Sequence, residues 1–210
     1  GCELASFRMP SQSVPAFVSN GTVGRLSFLR FGCRVAIHNQ KRVPRTAWRA
    51  LHVNVVSVGR ASQKEAWAEI PVEEYQTRLK GSNAIDLELT YVRDNDALLR
   101  LLRNGQKKRL GCVIAMDEHC SAPSSSEKFA DQLYTWLEIG GSRSTFVVGG
   151  AEGLPDEIKS EQYLPVSQRI LAHHFLSLSP LTLTHKIARL VLVEQIYRAA
   201  EIRKGSKYNK

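Results

Sequence analysis

Residues able to do chemistry gather in a few short stretches of this sequence. Gly149-Gly-Ala-Glu-Gly153 follows the apolar run Ser144-Thr-Phe-Val-Val148, so it marks the end of a buried strand. That is the edge of an open α/β sheet at which ligands bind. Glycines there let a ligand approach the backbone, and they serve equally well in a tight strand-to-helix turn with positive φ. Met116-Asp-Glu-His119 follows a second apolar run. Its polar residues are consecutive and cannot converge on one metal ion, so a solvated loop is the plainer reading, with Met116 in the core. His185 opens the last helix; capping is one role for it, and catalysis or RNA contact another. Arg189 is the one polar residue between Ile187 and Val193, and an arginine in so apolar a turn needs a partner.

Other chemistries are missing. No Ser-His-Asp order or nucleophile elbow appears, and the glycine loop has neither dinucleotide-fingerprint nor phosphate-loop spacing. Cys2, Cys33, Cys112 and Cys120 lack metal-ligand spacing, so no metal site is expected, and free thiols in a reducing compartment are. His173 and His174 read as surface or edge residues beside a strand.

The elements that must position these residues alternate. Leu51–Val58 is a strand pattern, followed by a helical stretch from Gln63 to Lys80 that Pro71 should kink or delay. Ile85–Val92 alternates as a second strand. Asp94 or Asn95 can cap a helix carrying Leu98, Leu99, Leu101 and Leu102 that ends near Gly105. Leu110–Met116 reads as a strand buried on both faces, and Ser124-Ser-Ser-Glu127 as a capping box for a helix from Lys128 to Ile139. Strand Ser144–Val148 leads to a helix opened by Pro155. A fifth strand, His174–Leu178, is broken at Pro180, and a long helix closes the chain. This order predicts a three-layer α/β domain with a mostly parallel sheet over residues 50–210. The loops at 116, 149–153 and 178–183 would then line one crevice, suited to a small molecule.

Of the formal charge of +9, residues 1–50 carry +7, with eight basic residues against Glu3. Segment 1–49 is therefore read as a mitochondrial or chloroplast transit peptide, with a disordered basic tail as the alternative. Without a leader the protein would be cytoplasmic. No apolar run reaches membrane-span length, so no membrane association is expected. Beyond residue 50 the net charge is only +2, concentrated near the C-terminus at Lys186, Arg189, Arg198, Arg203, Lys204, Lys207 and Lys210.

Val147-Val-Gly-Gly-Ala-Glu-Gly153, Leu178-Ser-Pro-Leu-Thr-Leu183, His185, the run Arg189–Arg198 and the ending Gly205-Ser-Lys-Tyr-Asn209 closely resemble the RlmH family of SPOUT methyltransferases. The resemblance covers residues 51–210 and is most specific in the C-terminal half. It implies a C-terminal trefoil knot, a homodimer, and S-adenosylmethionine-dependent methylation of N3 of a pseudouridine in large-subunit ribosomal RNA. The implied cofactor contacts are Met116, Gly149, Leu178, Ser179, Pro180, Leu181, Thr182 and Leu183. Arg189, His185 and Tyr208 are the implied catalytic candidates. Asn209 departs from the family's usual histidine, and Thr184 from its usual proline. The low charge of the folded part favours recognition by shape, hence an assembled ribosomal subunit over naked RNA. The competing expectations are a catalytically reduced RNA- or ribosome-binding protein and a methyltransferase for another RNA.

Overall fold

Five apolar or β-branched runs become five strands of a single sheet: β1 Leu51–Val58, β2 Ile85–Val92, β3 Cys112–Met116, β4 Arg143–Val148 and β5 His174–Leu176. Their order is β2-β1-β4-β3-β5, and every strand pairs in parallel with its neighbours. The computed structural model describes residues 51–59, 66–82, 84–105 and 107–209. The basic segment 1–49 and the expected helix start at Gln63 lie outside the described residues.

A parallel sheet must be covered on both faces, because its crossover helices pack there. On one face lie α1 (Ala66–Ser82), α4 (Ser126–Ile139) and α6 (His185–Lys204). Val72 and Leu79 of α1, Phe129 and Leu133 of α4, and Leu192, Val193 and Ile196 of α6 share a core there with Val53, Val55, Ile114 and Phe146 of the sheet. The other face carries α2 (Asn95–Asn104), the single turn α3 (Lys107–Leu110) and α5 (Asp156–Glu161). There Leu98, Leu102 and Ile158 meet Val56, Val113, Ala115 and Val147. The apolar character of α6 has a direct cause: the helix packs against the sheet and against both α1 and α4.

Several element ends differ from expectation. α1 runs through Pro71, which therefore leaves the Trp67 carbonyl without its helical donor. β3 begins at Cys112, because residues 107–110 form a helical turn and Gly111 takes a left-handed φ of 66°. A side chain at Gly111 would collide with the Arg143 carbonyl, so the close approach and the φ both require glycine. The cap of α4 is Ser125, whose hydroxyl accepts from the Lys128 amide at 3.3 Å, so the Ser124–Glu127 box is out of register by one. Asp94 caps α2 through the Ala97 amide at 2.8 Å. β5 stops at Leu176, two residues early, since the hydroxyls of Ser177 and Ser179 bond the loop backbone instead. His174 does lie on an edge strand, its ring tilted over Trp136.

Phe146 is fully buried between β-sheet neighbours and the rings of Phe129 and Trp136. Phe146→Ala should cost about 3–5 kcal/mol of unfolding free energy in chemical denaturation. Ile139→Ala, at a site 65% exposed, should fall within about 0.5 kcal/mol of the parent.

Candidate functional site

The chain leaves β3 toward α4 on one face of the sheet and leaves the adjacent β4 toward α5 on the other. Divergence of neighbouring connections opens a crevice at the C-terminal strand ends. A cleft of about 800 Å³ lies there, within the range that takes drug-sized ligands. Its walls come from three loops: Met116–His119 after β3, Val148–Leu154 after β4, and Leu176–Lys186 after β5.

The glycine loop folds tightly back on itself. The Gly153 amide donates to the Gly150 carbonyl at 3.0 Å, and Gly153 takes φ +78°. A Cβ at Gly149 would lie 2.5 Å from the Gly153 carbonyl carbon, so no side chain fits. The turn reading of these glycines holds, and the same geometry brings bare backbone to the cleft wall. The loop after β5 is braced from within, as the Ser177 hydroxyl donates to the Ser179 carbonyl at 2.7 Å and the Leu181 amide donates to the Ser179 hydroxyl at 3.0 Å. Asp117, only 8% exposed, is fixed by the His119 amide at 2.9 Å.

Of the expected cofactor contacts, Met116, Gly149, Leu178, Ser179, Leu181, Thr182 and Leu183 line this cleft, and Pro180 is absent from its lining. His185 lines it as the first residue of α6. Thr184, not His185, occupies the N-cap position, and no side chain caps that end. Sequence reading missed Trp67, Lys159, Lys186 and Ala188, which complete the wall. Nothing local marks Trp67, because it arrives from α1, far away in the chain. Among the described residues no group of three or more His, Cys, Asp or Glu side chains could hold a metal ion. No described helix is long and apolar enough to cross a membrane.

Arg189 and Tyr208 lie outside the cleft lining. Arg189 is 4% exposed, and its guanidinium bonds the Glu69 carboxylate of α1. It also stacks over the Tyr91 ring, 5.1 Å from the centroid. The Tyr91 hydroxyl donates to the other Glu69 oxygen at 2.8 Å, and burial followed by that hydrogen bond pushes the phenol up to about 12. The partner that Arg189 required is thus Glu69, which has no sequence signal because 120 positions separate the two. Tyr208 packs edge-on to Tyr197 at 4.9 Å, beneath the Arg198 guanidinium, with Glu194 accepting from its hydroxyl at 3.4 Å. Tyr197 lies twelve residues beyond His185 on α6, about 18 Å along the helix. The chain's own tail is therefore docked well away from its own cleft.

A parallel α/β sheet with a braced glycine cleft at its switch point is a ligand-binding scaffold. Residues 51–209 match the family described as a predicted SPOUT methyltransferase. The chain is 42% identical over 160 residues to the ribosomal RNA large subunit methyltransferase H of Protochlamydia amoebophila, covering 76% of this chain and 99% of that one. The protein of the same name from Thermus thermophilus is 35% identical, with the same coverage. That of Parasynechococcus marenigrum is 34% identical over 74% of this chain and 94% of the relative. This chain belongs to the SPOUT methyltransferases.

Gly149→Ala should make the loop after β4 more open to limited proteolysis while the far-ultraviolet circular dichroism persists, since the added methyl collides with the Gly153 backbone and not with the core. Glu69→Ala should destabilise the fold by about 3–5 kcal/mol in denaturant unfolding, because it strands a buried guanidinium. A paired Glu69→Leu, Arg189→Met variant should recover most of that loss.

Proposed function

We propose that this protein is an S-adenosylmethionine-dependent methyltransferase that modifies N3 of a pseudouridine in large-subunit ribosomal RNA. The observation that carries this reading is the cleft itself, built from the post-strand loops at 116, 149–153 and 178–183 that the family resemblance names. Near-complete coverage of relatives named for large-subunit ribosomal RNA methylation supports the substrate.

The cleft suits the cofactor chemically. Its glycine wall offers backbone groups without side-chain obstruction, and Asp117, Glu118 and Glu152 line it alongside Lys159 and Lys186. Such a mixed wall matches a ligand carrying a sulfonium, an ammonium and a carboxylate. S-adenosylmethionine, when bound, supplies an electrophilic methyl group on its sulfonium. The protein must then hold the acceptor nitrogen in line and remove its proton. His185 is the candidate base in the cleft wall, its imidazole taking the N3 proton. Arg189 acts at one remove, locking the first turns of α6 to α1 through Glu69. Tyr208 reaches a cleft only from a second copy of the chain, which is what the homodimer of this reading provides. Ile187, 38% exposed, and Ile70, 63% exposed, offer apolar surface on α6 and α1 for such a partner. The trefoil knot belongs to the same reading, with the segment 177–184 as its cofactor-embracing loop.

Segment 1–49 is proposed as an organellar leader, mitochondrial or chloroplast. Support comes from its composition and from the family match starting at residue 51. Asn209 favours a second reading, an RNA- or ribosome-binding protein without turnover, because asparagine does not titrate.

Calorimetry with S-adenosylmethionine should show saturable binding, and isolated large subunits should accept one methyl group at a pseudouridine faster than free ribosomal RNA does. Absence of cofactor binding would refute the enzyme. Equal rates on subunits and free RNA would refute the assembled substrate. Asn209→His should raise turnover if the departure limits the reaction; binding with no turnover in either form would favour the second reading.

A further inference from the structure

The described arginines divide into two groups. Six are engaged within the fold: Arg78 with Glu74, Arg93 with Asp94, Arg169 with three carbonyls, Arg189 with Glu69, Arg198 with Glu194, and Arg203 over the Tyr134 ring at 4.1 Å. The C-terminal basic residues that the sequence offered for RNA are thus largely occupied, Lys204 with Glu201 among them. Among the described residues no side-chain hydrogen bond or ion pair ties Arg100, Arg103, Arg109 or Arg143. These four share one place.

Arg100 and Arg103 stand one turn apart on α2 and are exposed, while Leu98, Leu99 and Leu102 hold the other face in the core. Arg109 is exposed on α3. α3 packs against β4, whose first residue is Arg143, and a Cβ on Gly111 would lie 2.6 Å from that of Arg143. The sequence adds Lys107 and Lys108, and no acid occurs between Asp96 and Asp117. The flanking acids are Asp94, bonded to Arg93 and close enough to Arg100 to feel its charge, Asp96 one turn before Arg100 on α2, Asp86, which bonds the His52 that stands in register beside Arg143, and Glu138 at the end of α4. This surface lies at the N-terminal ends of β3 and β4. The cleft lies at their C-terminal ends, across roughly 13 Å of β3.

We propose that the α2–α3 surface, Arg100, Arg103, Arg109 and Arg143, is a second docking site of this enzyme, for the phosphate backbone of its RNA substrate. Guanidinium groups match phosphate bidentately and hold their charge at any physiological pH. Arginines that no hydrogen bond or ion pair ties among the described residues gain most from counterion release, whereas arginines already paired to carboxylates gain little. Because the contact is remote from methyl transfer, it contributes equally to substrate and transition state. It therefore sets KM and leaves kcat alone. The choice of RNA rests on the methyltransferase reading, but the binding test does not depend on turnover. A protein that binds ribosomal RNA through this surface without methylating it would sink the reaction and leave the docking site standing.

The test compares the full chain with R100Q/R103Q/R109Q and with R100K/R103K/R109K in titrations of large-subunit ribosomal RNA across a salt series. The glutamine variant should lose on the order of tenfold in affinity and about 2 to 3 units of the slope of log K against log salt. The lysine variant should keep most of that slope. Its KM for methylation should rise in the glutamine form with kcat and S-adenosylmethionine affinity unchanged. Should the triple glutamine variant not fold, Arg103→Gln alone carries the test, with a slope decrease of about 1. Unchanged RNA affinity and slope overturn the proposal. So does weakened binding to intact subunits with unchanged binding to naked RNA, since that outcome assigns the surface to a ribosomal protein.

Discussion

A parallel sheet of five strands has no face it can leave in water, and most of this molecule follows from that. β3 and β4 are buried from end to end except at Met116 and Arg143. Helices must cover both sides, so the connections leaving the C-terminal strand ends have to diverge. The cleft is the gap they leave. Its glycine wall then follows from crowding, since Gly149 faces the backbone of Gly153 at a distance no Cβ tolerates. The cleft is placed by the same requirement that builds the core.

α6 shows how one element serves several ends. Its first turn, at His185 and Lys186, belongs to the cleft. Its middle turns carry Leu192, Val193 and Ile196 into the core. Its far end binds the tail, through Tyr197 against Tyr208 and Arg198 above it. Between cleft and core sits Arg189, desolvated and tied to α1. An arginine so placed contributes little net stability over an apolar residue, yet removing its carboxylate partner costs several kcal/mol. It pins the helix start in one position, and positioning is what a transfer reaction in line with its donor demands.

Charge tells a similar story at larger scale. Net charge in the sequence pointed to segment 1–49 and the C-terminal helix. Folding spends the C-terminal cations on Glu194, Glu201 and Tyr134. Among the described residues, the arginines left without a side-chain hydrogen bond or ion pair lie toward the opposite edge, on α2, α3 and the start of β4. Sequence position alone could not separate the two groups, because whether an arginine is paired depends on neighbours brought in by the fold.

By itself the sequence determined the elements and their order, since periodicity, glycines and Asp94 act within a few residues. The family was also legible, as its signature lies in short contiguous runs between residues 147 and 209. The three loops of the cleft were foreseeable too, because every loop following a parallel strand emerges on one edge. Ends were less secure: Ser125 rather than Ser124 caps α4, and β5 yields to serine hydroxyls at Ser177, because competing local hydrogen bonds differ by little energy. Only the tertiary structure brought Trp67 into the cleft wall, gave Arg189 its partner in Glu69, and docked Tyr208 on Glu194 and Tyr197, well along α6 from His185. Those facts depend on contacts between residues up to 120 positions apart, which propensity and spacing do not encode.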